Sequence, residues 1–132
     1  TMPFPVATAP LAAAYSPSPV YLDGALRGGI AWDALGGEEA AESKLRQALL
    51  SASVLDRPAP DHARYAVLVS ATADGYVPPA TTELLHAHWP GSELRWVRGG
   101  HASLLWFRKA TLASAIADSF DRLIRAGGTT AS

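Results

Sequence analysis

Apolar and polar positions change period along the chain, and each change predicts an element. Phe4 to Pro10 is a short apolar run flanked by prolines, which predicts a buried strand ending near Ala9. Tyr15 to Gly29 (YSPSPVYLDGALRGG) is rich in Ser, Pro and Gly and predicts loop with one short turn of helix. Beyond Gly36 the spacing becomes helical. Leu45, Leu49 and Ala52 repeat behind an acidic start at Glu38, Glu39 and Glu42, predicting a helix over Glu38–Val54 that lies as an insertion over a sheet. The segment RPAPDH then breaks it.

The second half is more regular. Arg64–Ala71 (RYAVLVSA) is nearly continuous in apolar residues, as expected for a strand buried on both faces of a parallel sheet. PPATTELLHAHW opens on prolines suited to a first helical turn and predicts a helix of about ten residues. GSELRWVR alternates and predicts a strand. From Ala102, the residues Leu105, Leu112, Ile116, Phe120 and Leu123 recur at three-to-four spacing, predicting one amphipathic helix that ends at Gly127-Gly128. Strand, helix, strand, helix is the order of a right-handed βαβ unit, so the fold class is α/β with parallel strands.

Composition narrows the function. The 132 residues are 48% hydrophobic and 17% charged with net charge −1, the profile of an ordered globular chain without a general pull toward nucleic acid. Cysteine is absent, which excludes disulfides, thiolate metal sites and a Cys nucleophile. No apolar run reaches the roughly 18 to 20 residues of a membrane helix. The beginning lacks the basic region of a signal peptide and starts on Thr1, leading to the expectation of a processed or truncated product or a separately begun chain. There is no P-loop and no G-x-G-x-x-G after a strand. Neither a metal nor an organic cofactor is expected.

In parallel α/β sheets, function gathers beyond the carboxyl ends of the strands. Asp74 follows the first strand of the second half (ATADGYVPP), and His101 follows the next (RGGHAS). Neighbouring strands lie about 4.8 Å apart, so the loops can meet. A carboxylate on one ring nitrogen fixes the tautomer and leaves the other nitrogen as a base. Asp74 beside Gly75 also fits an Asx turn, and the two readings are compatible. Asp61 and Asp33 are weaker rivals, since neither follows a strand that reads as buried.

The nucleophile is missing. No G-x-S-x-G occurs; Ser103 begins a helix and Ser70 lies inside a strand. Tyr76 and Val77 are candidates to line an acyl pocket, or to pack on the final helix. His86 and His88, at i and i+2 of a helix, point apart and cannot chelate one metal. Trp89, Trp96 and Trp106 read as core aromatics, and Glu38, Glu39 and Glu42 as a solvated helix end.

These residues resemble the C-terminal segment of the alpha/beta-hydrolase domain-containing protein 18 family. The resemblance rests on Asp74, Tyr76-Val77-Pro78, Trp89-Pro90-Gly91, Gly99-Gly100-His101 and Phe120-Asp121-Arg122-Leu123, with Trp32-x-x-Leu35 in the first part. It covers the chain except roughly residues 36 to 63, where family members diverge. It implies the C-terminal portion of one α/β-hydrolase domain. In it, residues 1–35 are the strand and loop after the nucleophile elbow, 36–63 a helical insertion, and 64–132 the strand–helix–strand–helix unit with acid and histidine.

The nucleophilic serine would then lie on an upstream segment, and the substrate would be a small-molecule or lipid acyl ester, with phospholipids such as cardiolipin a possible class. The resemblance implies an intracellular protein, cytoplasmic or, in a eukaryote, mitochondrial. Two functions remain open: a part of a serine hydrolase of esterase or lipase type, or a non-catalytic interaction module keeping the Asp–His pair as a relic.

Overall fold

The computed structural model describes residues 6–128. Helix α1 (Pro17–Leu22) opens on Pro17, carries Pro19 in its first turn and is capped by Ser16, whose side chain accepts from the Ser18 amide at 3.3 Å. Two short 3₁₀ segments, Ala25–Gly29 and Trp32–Leu35, lead to α2 (Glu38–Leu50). A 3₁₀ turn at Ala63–Tyr65 then feeds β1 (Val67–Ala71), α3 (Pro79–His88), β2 (Glu93–Val97), α4 (His101–Phe107) and α5 (Lys109–Gly128).

The sheet has two parallel strands, with Val67 opposite Glu93 and Ala71 opposite Val97, joined through α3. Every residue of β1 is buried, which is why its sequence is apolar without alternation. Val67, Val69 and Ala71 face Val97, Leu104 and Ala115 on the side covered by α4 and α5. Ala66 and Leu68 face Leu85, with Trp89 and Leu94 packed around them, on the α3 side.

The strand expected over Phe4–Pro10 is not a strand among the described residues; Phe4 and Pro5 lie outside them. Instead an extended segment runs parallel to β1 on its other edge, with one bridge at Leu11–Val69. The Val67 and Val69 amides donate to the carbonyls of Thr8 (3.2 Å) and Pro10 (2.9 Å), and the Ala12 amide donates to Val69 at 2.8 Å. The preceding rung needs an N–H from position 10, and proline has none.

Other expectations need correction. The 15–29 stretch is more helical than loop, because Ser16 and Pro17 start α1. Helix α2 stops at Leu50, and it packs on α1 and on the 32–35 turn rather than over the sheet. The final helix is two helices, broken at Arg108 (φ −116°, ψ 28°). That break shifts the helical phase. Leu112 still packs on the core, but Ala115 and Ser119 form the buried stripe of α5, while Leu105, Ile116 and Phe120 are exposed. Trp96 and Trp106 are exposed as well, so only Trp89 reads correctly as a core aromatic.

The motifs at the other end of the sheet have structural reasons. Trp89-Pro90-Gly91 is the turn into β2, and Gly91 sits at φ +83° with its Cα against Arg64, where a Cβ would come within 2.9 Å of the Arg64 Cβ. Arg122 bolts α5 to that turn, donating to Glu93 (2.9 Å) and to the carbonyls of Arg64 (3.0 Å) and Gly91 (2.7 Å).

Candidate active site

The parallel pairing of β1 and β2 continues past both strands into their loops. The Thr72 amide donates to Val97 and the Ala73 amide to Gly99, each at 2.9 Å. This zipper carries Asp74 and His101 to the same end of the sheet. Gly99 lies at φ +126°, and a Cβ there would fall 2.3 Å from the Ser103 hydroxyl oxygen, which itself donates to the Gly100 carbonyl. Gly99 is therefore required for its conformation, whereas Gly100 has an ordinary φ of −102° and a Cβ there would meet only the Ala73 carbonyl at 3.2 Å; His101 follows as the first residue of α4.

Asp74 has a side chain only 1% exposed, and a carboxylate so buried needs every partner it can find. Its Oδ1 accepts from the amides of Tyr76 and Val77, both at 2.9 Å, in an Asx turn. Its Oδ2 lies 2.8 Å from His101 Nδ1. The turn reading and the pairing with histidine hold together: one oxygen serves each. His101 keeps 29% of its side chain exposed, and its Nε2 makes no hydrogen bond among the described residues. An Nδ1–H donated to a carboxylate leaves Nε2 unprotonated and able to act as a base.

Tyr76 is half exposed and its ring lies 5.5 Å from the imidazole, centre to centre, tilted by 51°. Val77 is buried, and its amide is one of the two that donate to Asp74. Ser103 is bonded to Gly100, and Ser70 is buried within β1 with a hydroxyl that has no hydrogen-bond partner among the described residues. Asp61 lines a cavity of about 630 Å³ that includes Thr8, Pro58, His62 and Trp89, at the amino ends of the strands and away from His101. Asp33 lies in the 32–35 turn.

His86 bonds Ser92 through Nδ1 and His88 bonds the Arg57 carbonyl through Nε2, each at 2.8 Å, so the two rings serve separate partners. Among the described residues no group of His, Asp and Glu could hold a metal.

Two features escaped sequence reasoning. The Ala25 amide donates to the Gly75 carbonyl at 2.6 Å, fastening the first half of the chain to the acid loop. Gly24, its neighbour, has an ordinary φ of −102°, so no turn signature marks it. The glutamates of α2 are also not a purely solvated end. Arg27 pairs with Glu38 and with Glu42 (2.7 Å), and Arg46 bridges Glu42 (3.0 Å) and Asp23 (2.9 Å). Hydrogen bonds from Arg27 and then Arg46 hold the Glu42 carboxyl at about 2, well below its ordinary 4.5. Glu39 remains exposed.

Comparison with known proteins supplies the frame for this geometry. No solved structure matches the chain. The family model for alpha/beta hydrolase domain containing 18 matches residues 37–122, more than half of the chain. The match holds β1, β2, Asp74 and His101. It runs through residues 37–63, which the motif resemblance leaves out, and it does not extend to residues 1–36, which the resemblance includes. With parallel strands, covering helices and a match of this extent, the chain belongs to the alpha/beta hydrolase domain containing 18 family.

Proposed function

We propose that the chain supplies the acid and the base of a serine hydrolase acting on acyl esters, with the nucleophilic serine on an upstream segment of the same protein or on a separate chain. The observation that carries this reading is the 2.8 Å contact between His101 Nδ1 and the buried Asp74 carboxylate, made at the carboxyl end of a parallel sheet. His101 Nε2 takes the serine proton as the oxygen bonds to the acyl carbon. It then returns that proton to the departing alkoxide, leaving an acyl-enzyme and a free alcohol. Water repeats the exchange and releases the acid. Asp74 orients the ring and stabilises the imidazolium in both steps. Tyr76, half exposed beside His101, is the residue of this chain best placed to meet the substrate. Lipid acyl esters are the class that family membership favours.

The test joins this chain to the segment encoded upstream and adds a fluorophosphonate, which labels activated serines. Labelling that disappears with His101→Ala supports the assignment. Absence of labelling in the folded assembly, or labelling indifferent to His101→Ala, contradicts it.

A second reading, a non-catalytic interaction module, draws on the exposed Trp106 (71%) and Phe107 (79%) and on Ile116, Phe120 and Ile124 along one face of α5. Stable association with a protein partner, unlabelled by fluorophosphonate, would favour it.

A further inference from the structure

We infer that Gly24 and Ala25 form a brace that positions the acid of the Asp74–His101 pair, making the helical arm of residues 16–50 part of what sets the geometry of that pair. The inference rests on the reading of Asp74 and His101 as acid and base, but it concerns their positioning and is tested separately.

The carboxylate of Asp74 is aimed by its own turn. Oδ1 is occupied by the amides of Tyr76 and Val77, and that leaves Oδ2 for His101. Whatever fixes the peptide units at Gly75 and Tyr76 therefore fixes the direction of Oδ2. No strand or long helix does this, because the loop leaves β1 at Ala71 and reaches α3 only at Pro79. The arm does. The Ala25 amide donates to the Gly75 carbonyl at 2.6 Å, and the Gly24 backbone presses on the same turn. A Cβ at Gly24 would lie 2.6 Å from the Tyr76 carbonyl oxygen, 2.8 Å from that of Val20 and 3.2 Å from that of Gly75. All three are backbone atoms that cannot swing aside. Glycine is thus needed at position 24 for closeness of approach, not for its φ.

The brace is itself held on both sides. Asp23, just before it, pairs with Arg46 of α2, and Arg27, just after it, donates to the Leu22 carbonyl at 2.9 Å and pairs with Glu42. Leu22 is buried to 1% exposure and anchors the end of α1. The segment between Leu22 and Arg27 thus has fixed ends and makes its contact on the acid loop between them. Gly24 and Ala25 are positioning residues: neither touches His101, and both act through the turn that aims Asp74.

The experiment reads the tautomer of His101 by two-bond proton–nitrogen NMR of the ¹⁵N-labelled chain, with Asp74→Asn as the reference for a lost carboxylate. The wild type is expected to show the Nδ1–H tautomer. Gly24→Ala drives a methyl into two carbonyls, and Ala25→Pro removes the donor and sets a ring carbon against the Gly75 oxygen. Both should lose the Nδ1–H tautomer while helix content by circular dichroism is retained. An unchanged tautomer in both folded variants overturns the inference.

Should either variant unfold, hydrogen exchange of the wild type decides. Exchange of the Ala25, Tyr76 and Val77 amides through one common opening supports the brace. A fast-exchanging Ala25 beside protected Tyr76 and Val77 amides overturns it. Fluorophosphonate labelling separates the two readings. A broken tautomer without labelling anywhere removes the hydrolase and keeps the brace, whereas His101-dependent labelling with an indifferent tautomer removes the brace and keeps the hydrolase.

Discussion

The strand–helix–strand unit and the helical arm that leans on it are built by different forces. In the unit, β1 is buried along its whole length and lies between two apolar layers, one under α3 and one under α4 and α5. In the arm, α1 buries Ser18, Pro19 and Leu22, and α2 buries only Ala41. The arm is tied instead by Arg27, Glu38, Glu42, Arg46 and Asp23 on its surface. The unit carries ion pairs too, Arg95 with Glu93 and Asp118 and Arg122 with Glu93, but its two apolar layers do not titrate, whereas exposed ion pairs are weak singly and screened. The site joins the two regimes: Asp74 and His101 are presented by the unit, and the loop between Asp74 and α3 is touched by the arm.

The comparison breaks first at the core. Leu68→Ala removes a side chain with no exposure, and a loss of about 2–5 kcal/mol in urea unfolding is expected. A smaller effect is expected where α5 is fastened. Arg122→Ala leaves the Arg64 and Gly91 carbonyls without this donor and Glu93 with Arg95 alone, and should cost roughly 0.5–1.5 kcal/mol. Arg122→Lys should recover only part of this, because one ammonium cannot span the same acceptors.

The smallest effect is confined to the arm. The Glu42 pKa is lowered in the fold, so its contribution is complete above the ordinary 4.5 and is lost as pH falls through that value toward about 2. Protection of the α2 amides, corrected for the intrinsic pH dependence of exchange, should therefore fall between these limits and with added salt, and by more than protection of the β1 amides. Equal loss of protection in both elements would remove the distinction between the two regions.

This contrast also explains what the sequence made legible. The period of β1, α3 and β2 is dictated by burial on known sides, so their order, their parallel pairing and the loop positions of Asp74 and His101 follow from pattern alone. The arm leaves no such trace, because Arg27 and Glu42 meet across a fold-back that periodicity does not encode. The α4–α5 break is hidden for a related reason. Leu105 and Ile116 keep helical spacing across Arg108, yet the sheet accepts Ala115 and Ser119, whose small side chains permit close approach. Pro10 is the opposite case: it is visible in the sequence as the end of the apolar run, and its missing N–H leaves the extended segment beside β1 with a single bridge.

The central claim is that Asp74 and His101 act as one unit on an activated serine. It is tested most directly by a double-mutant cycle on ester hydrolysis by this chain combined with the proposed serine-bearing segment. Asp74→Asn should lower kcat by about 10⁴-fold, and His101→Ala should abolish the serine's activation. The double variant should be no slower than His101→Ala alone, as for residues that work through one another. Full activity in Asp74→Asn, or losses that multiply in the double variant, would contradict the account.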